Sequence, residues 1–73
     1  MTLKEADEAA QKVLPIIHQI PGRPPTEYSR ITQTGYKYDK NGHGRGFVQL
    51  FDKCRNSVTD ANPEHCTVKE AIP

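Results

Sequence analysis

The sequence predicts an α+β domain in which an N-terminal helix packs on a small antiparallel sheet. Apolar residues recur at helical spacing through the first 20 positions. Residues 28–54 hold all three tyrosines, both phenylalanines and an Asn-Gly pair, a pattern typical of a β-hairpin. The sheet is therefore expected to form around this hairpin, with a third strand or a short helix at the C-terminus.

The chain is short enough to predict one small domain over residues 1–73. Only 34% of its residues are hydrophobic and tryptophan is absent. A core of this size supplies about 3–5 kcal/mol of net stability. A bound partner or a homodimer would add to that stability.

The first helix has a clear beginning and an uncertain end. Thr2 and Glu5 have the spacing of a capping box, which predicts a start at Leu3. Pro15 lacks an amide proton, so the helix is predicted over residues 3–14, or kinked there and continued to 20. The apolar stripe that supports the helix comprises Leu3, Ala6, Ala10, Val13, Ile17 and Ile20.

A proline-rich connector at residues 21–25 leads into the hairpin region, residues 26–54. Asn41 and Gly42 predict a two-residue type I′ turn, which would pair Tyr38 with Arg45 and Tyr36 with Phe47. An unbroken first strand would place six residues on one face of the sheet. These are Tyr28, Arg30, Thr32, Thr34, Tyr36 and Tyr38.

Two later segments have alternative interpretations. Residues 47–58 fit a strand, which the Asn-Gly turn favours, but their apolar residues also fit helical spacing. In the C-terminal element, residues 63–72, Asn62 and Pro63 could begin a helix, or residues 66–68 could form a third strand. The predicted core comprises Leu3, Ala6, Ala10, Val13, Ile17, Ile31, Val48, Leu50 and Val68.

No pattern in the chain indicates catalysis, a metal site or a cofactor. Cys54 and Cys66 lie too far apart in sequence to form the close ligand pair of a structural zinc site. His65 adjoins Cys66, but adjacency in sequence does not create a nucleophile–base contact. The protein is therefore expected not to be an enzyme, and whether the cysteines are free or bonded stays open.

The N-terminus predicts a cytoplasmic protein. Its first 12 residues are acidic and contain no apolar run, unlike a signal peptide. No run of about 18 apolar residues predicts a transmembrane helix. A membrane partner is not expected.

The hairpin is the best candidate for a binding surface. Residues 22–57 contain seven basic and three acidic residues, a net charge of +4, between mildly acidic ends. Tyrosine and arginine are enriched where proteins bind most strongly to one another. The candidate binding residues are Tyr28, Arg30, Tyr36, Lys37, Tyr38, Lys40, His43, Arg45 and Phe47.

These features predict a small regulator, inhibitor or adaptor that masks or bridges a macromolecular partner, in particular a protein with an acidic surface. The alternative is a nucleic-acid-binding module, because single-strand binders combine cations with aromatic stacking platforms. The isoelectric point of about 7.8 is low for such a module, since nucleic-acid-binding domains usually exceed about 9.

Overall fold

The computed structural model describes residues 1–69 and confirms an α+β fold with an N-terminal helix. Its helix is α1 (Leu3–Gln11), and its strands are β1 (Ile16–His18), β2 (Thr26–Tyr28), β3 (Arg30–Tyr38), β4 (Gly44–Asp52), β5 (Ser57–Ala61) and β6 (Cys66–Val68). The strands form two antiparallel sheets rather than the single sheet expected. The orders are β2-β1-β6 in the small sheet and β3-β4-β5 in the hairpin sheet.

Helix α1 begins as predicted and ends earlier. Thr2 Oγ1 accepts from the Glu5 amide, and the Glu5 side chain accepts from the Thr2 amide, both at 3.1 Å. At the other end, Val13 has a left-handed backbone with φ of 54°, while the Leu14 amide donates to Ala9 O at 3.0 Å. This hydrogen bond and the left-handed residue belong to a Schellman motif, which stops the helix before Pro15. The predictions of a helix to 14 and of a kinked continuation to 20 are therefore wrong.

The predicted first strand, residues 26–38, is divided at Ser29. Residues 26–28 form β2 in the small sheet, and β3 starts at Arg30 in the hairpin sheet. The connector before them turns at Gly22, which has φ of +84°. The division separates Tyr28 from the later tyrosines.

The hairpin joins β3 and β4 in a register one residue away from the predicted one. Tyr38 lies opposite Gly44, and Tyr36 lies opposite Gly46. The reason is a longer loop: Asp39 N–H donates to His43 O at 3.1 Å, so the loop spans residues 39–43 rather than two residues. A β-bulge between Ile31 and Gln33 changes the register again.

Residues 47–58 are not a helix. They continue β4 to Asp52, turn, and begin β5 at Ser57. The sequence interpretation missed β5 because four of its five residues are exposed and it shows no apolar alternation. Both C-terminal alternatives are present: a 3₁₀ turn at Pro63–His65, capped by Asn62, precedes β6. The part of the predicted element beyond residue 69 lies outside the described residues.

The core lies between α1, the small sheet and one face of the hairpin sheet. Its buried side chains are Ala6, Ala9, Ile16, Ile31, Val48, Leu50, Ala61 and Cys66. Leu3, Ala10 and Val68 pack against this core as half-buried residues. Of the other predicted members, Val13 is exposed and Ile17 is half-buried in β1, because the helix ends before both.

The small sheet contains a histidine with a buried, unpartnered nitrogen. His18 Nε2 has no hydrogen-bond partner, and the His18 ring lies 6.2 Å from the His65 ring and 6.3 Å from the Tyr28 ring, between centroids. Burial lowers the pKa of His18, and the neighbouring His65 lowers it further. Protonation of His18 is thus less favourable in the folded chain than in the unfolded chain.

We expect the free energy of unfolding to fall as the pH falls below 6.5, the ordinary pKa of histidine, and to level off below the lowered pKa of His18. The unfolded chain binds the proton more readily over this range, so acid favours unfolding. Denaturant titrations at pH 5 and 7.5 would measure the effect. His18→Phe should reduce the pH dependence, and equal pH dependence in the parent chain and His18→Phe would contradict this assignment.

Candidate functional site

The distal half of the hairpin forms a two-stranded arm, defined here as residues 35–47. β5 pairs with β4 only from Val48 to Asp52, so the residues of β4 nearer the loop have β3 on one side alone. The arm therefore extends beyond the three-stranded part of the hairpin sheet. Seven of the nine predicted binding residues belong to it, and Tyr28 and Arg30 do not.

One carboxylate organises the loop at the end of the arm. Asp39 Oδ1 accepts from the Asn41 amide at 2.8 Å and from the His43 amide at 3.0 Å. Gly42 has φ of +83°, a conformation that favours glycine. These contacts fix the backbone of the loop and leave Lys40 exposed at its end.

Tyr36 and Tyr38 lie on the helix face of the arm, the same face on which α1 covers Val48. Their exposed fractions are 61% and 71%. The Tyr38 ring lies over Gly44, where an added Cβ would be only 2.8 Å from Tyr38 Cε1. A Cβ added at Gly46 would likewise lie close to the side chain of Leu3, in the first turn of α1. Helix α1 therefore does not cover the two tyrosines, and both are exposed.

The opposite face of the arm, called the outer face, combines cations with one aromatic ring. Lys37 Nζ lies 5.0 Å from the centroid of the Phe47 ring and forms an ion pair with Asp60 on β5. The Phe47 ring also lies against Gly35, where an added Cβ would be 3.1 Å from its Cε1. Arg45 is directly opposite Lys37 and makes no ion pair or side-chain hydrogen bond with residues 1–69.

The remaining predicted residues lie away from the arm. Arg30 is on the outer face near the far end of the hairpin, 5.0 Å above the Phe51 ring. Tyr28 is half-buried in β2 and packs against the core. The expected continuous face from Tyr28 to Tyr38 is therefore wrong, because the break at Ser29 and the bulge near Thr32 change which side chains share a face.

A notch of about 870 Å³ lies beside the arm, on the side of β4 that β5 leaves uncovered. Its volume is within the usual range for ligand-binding clefts, about 300–1,000 Å³. It is lined by Lys37, Tyr38, Asp39, His43, Arg45, Gly46, Phe47, Asp60, Ala61, Asn62 and Glu64. The sequence interpretation missed its second wall, residues 60–64, because that wall requires the unpredicted strand β5.

The two cysteines lie in different environments. Cys54 and Cys66 are both free, Cys54 exposed and Cys66 buried. Burial raises the pKa of the Cys66 thiol, an effect that the positive N-terminus partly opposes. Within residues 1–69, no three His, Cys, Asp or Glu side chains converge in a way that could hold a metal ion.

Comparison of the chain with protein-family models, curated proteins and solved structures found no match. The geometry of the arm and the notch is therefore the basis for assigning a function. Residues 1–69 contain no helix with the length and apolarity needed to span a bilayer.

The Lys37–Arg45 pair is expected to lower the stability of the fold. Like charges directly opposite each other on antiparallel strands are destabilising, and threonine also favours strands. We therefore expect Arg45→Thr to raise the free energy of unfolding by about 0.2–1 kcal/mol at low salt. Denaturant titrations at low and high salt would measure it, with Arg23→Thr as the control, because Arg23 lies in the connector and forms no ion pair with residues 1–69. A loss of stability in Arg45→Thr would show that Arg45 makes a favourable contact within the fold.

Proposed function

We propose that this chain is a non-catalytic binding protein that attaches to another protein through the arm and thereby masks or bridges that partner. The main observation is the exposure of Tyr36 and Tyr38 on a two-stranded extension of the sheet. Neither side chain is needed to fill the core. Exposed tyrosines of this kind contribute large contact areas with little loss of conformational entropy on binding.

Charge on the outer face and at the loop of the arm also favours a protein surface with acidic groups. Arg45 has no acidic partner within residues 1–69, and Lys40 is exposed at the loop. Arginine is enriched among the residues that dominate protein–protein affinity. Since Asp39 fixes the loop in advance through two hydrogen bonds, the arm loses little freedom when a partner binds.

Nucleic-acid binding, the alternative, is less well supported by the arrangement of the rings. Lys37 lies over the Phe47 ring, which is also close to Gly35, and Arg30 lies over the Phe51 ring. These rings are therefore not free platforms for stacking bases. The ion pair to Asp60 also offsets the charge of Lys37 that a phosphate would require.

We propose a cytoplasmic location for this activity. Cys54 is an exposed free thiol and Cys66 a buried one. Thiols persist in reducing compartments, whereas exported proteins tend to form disulfides. The free thiols support this location, and labelling of the protein in its own cells would test it.

Affinity capture with the full chain as bait tests the proposed function. The double variant Tyr36→Ser/Tyr38→Ser should lose any partner that the parent chain captures, because it removes the aromatic contact area. Ile20→Ser, which alters an exposed apolar residue just before the connector, is the matched control and should retain the partner. Circular dichroism and denaturant titration establish that each variant is folded.

Retention of every captured protein by a folded double variant would contradict the role of the arm. The alternative function is tested on the same preparations by titrating single- and double-stranded oligonucleotides at low and moderate salt. Affinity that falls steeply with salt would favour nucleic acid, because each phosphate contact releases counterions. We expect no binding at moderate salt.

A further inference from the structure

We propose that the partner contributes an extended segment with an acidic side chain, which adds as a strand to the edge of β4 at residues 44–46, left open by residues 1–69, and occupies the notch. This inference rests on the proposed function and specifies how the arm binds. The added segment would run antiparallel to β4 and continue the line of β5. Strand addition of this kind obtains its affinity from main-chain hydrogen bonds and its specificity from alternate side chains.

The hairpin register determines which backbone groups face the notch. Asp39 N–H donates to His43 O, which makes these residues a hydrogen-bonded pair. Such pairs alternate with non-hydrogen-bonded ones along an antiparallel ladder, so Arg45 bonds to β3 while Gly44 and Gly46 do not. The N–H and C=O groups of both glycines therefore point away from β3, toward the side where residues 1–69 provide no strand.

The chain itself shows why this edge stays open. Continuing the β4–β5 register past Ala61 would place Pro63 opposite Gly46 and Glu64 opposite Arg45. Proline has no amide proton to donate to the ladder. Instead, Asn62 caps the 3₁₀ turn, and Pro63 is buried with its carbonyl accepting from the N-terminal amine at 2.8 Å. The chain thus leaves β4 at the point where its next residues could not complete the sheet.

The same register predicts the chemistry of the added segment. Its residue opposite Arg45 lies on the outer face, beside a guanidinium with no acidic partner in residues 1–69. An acidic residue at that position pairs with Arg45, as opposite charges across a strand pair are favourable.

A second copy of this chain fits the edge less well. If two arms paired symmetrically through Gly44 and Gly46, Arg45 of each copy would lie opposite Arg45 of the other. Like charges at this position oppose the pairing. The open edge of β3 is also less suitable, because the bulge between Ile31 and Gln33 interrupts it.

The first test is an NMR titration of the full ¹⁵N-labelled chain with the peptide Thr-Glu-Thr-Val-amide. Its sequence places threonine opposite Gly46 and glutamate opposite Arg45, beyond the end of β5 at Ala61. We expect the largest amide shifts at Gly44 and Gly46, and about two- to fivefold weaker binding when the peptide's glutamate is lysine. Shifts centred on Tyr36 and Tyr38, or none at millimolar peptide, would overturn the proposal.

The second test removes one outward amide proton without adding a side chain to Gly46. Chemical synthesis with ligation at Cys54 can place sarcosine, N-methylglycine, at position 46, and sarcosine at Gly22 in the connector is the control. We expect the Gly46 substitution to lower affinity for the peptide and for the captured partner at least tenfold, with the control unchanged. Amide spectra of the unbound proteins establish that both are folded.

The two proposals fail in different ways. If the partner needs Tyr36 and Tyr38 but binds the sarcosine protein normally, the arm is a binding surface and strand addition is wrong. If the partner binds the folded double tyrosine variant as tightly as the parent chain, the proposed function itself fails. The parent chain could instead dimerise in a concentration-dependent way, and sarcosine at position 46 could abolish that dimer. This result would assign the edge to a second copy and overturn the proposal of an acidic segment.

Discussion

The fold depends on the position of β4 between two strands and beneath one helix. Its alternate residues Val48 and Leu50 are fully buried against α1 and the small sheet, and its backbone pairs with both β3 and β5. A chain with so small a core has few other sources of stability. A shift of one residue in β4 would expose both side chains, because the side-chain period of a strand is two residues. The register of this strand is thus determined by burial.

Near the loop, the same strand has less cover. α1 reaches only to Leu3 beside Gly46, and β5 ends at Ala61 because Pro63 cannot continue the ladder. The arm therefore inherits a fixed register from the buried half of β4 but has an open edge and exposed tyrosines of its own. A rigid base and an incomplete sheet are together what strand addition requires, since a preorganised edge limits the entropy lost on binding. We also expect Arg45, opposite Lys37, to make the free arm less stable than it could be, which is common at binding sites.

Local signals in the sequence predicted the start of the helix, the turn-forming proline connector and the presence of a hairpin. The errors have specific physical causes. Val13 adopts a left-handed backbone that a β-branched residue rarely takes, so no sequence signal marks the end of α1 at Gln11. The loop at residues 39–43 is set by hydrogen bonds to Asp39, and the Asn-Gly pair alone indicates a shorter turn and a different register. Strand β5 is almost wholly exposed, so the notch that it helps to form could not be predicted from apolar patterning.

The central claim is that the β3–β4 register turns Gly44 and Gly46 toward an edge that no strand of residues 1–69 covers. Amide hydrogen exchange of the unbound protein, followed residue by residue by NMR, tests this most directly. The account predicts slow exchange at Arg45 and Phe47, whose amides bond to β3, and exchange near the unfolded rate at Gly44 and Gly46. Equal protection of all four amides would show that the edge is already covered. The reverse pattern would show that Gly44 and Gly46, rather than Arg45 and Phe47, bond to β3, and either result would contradict this register.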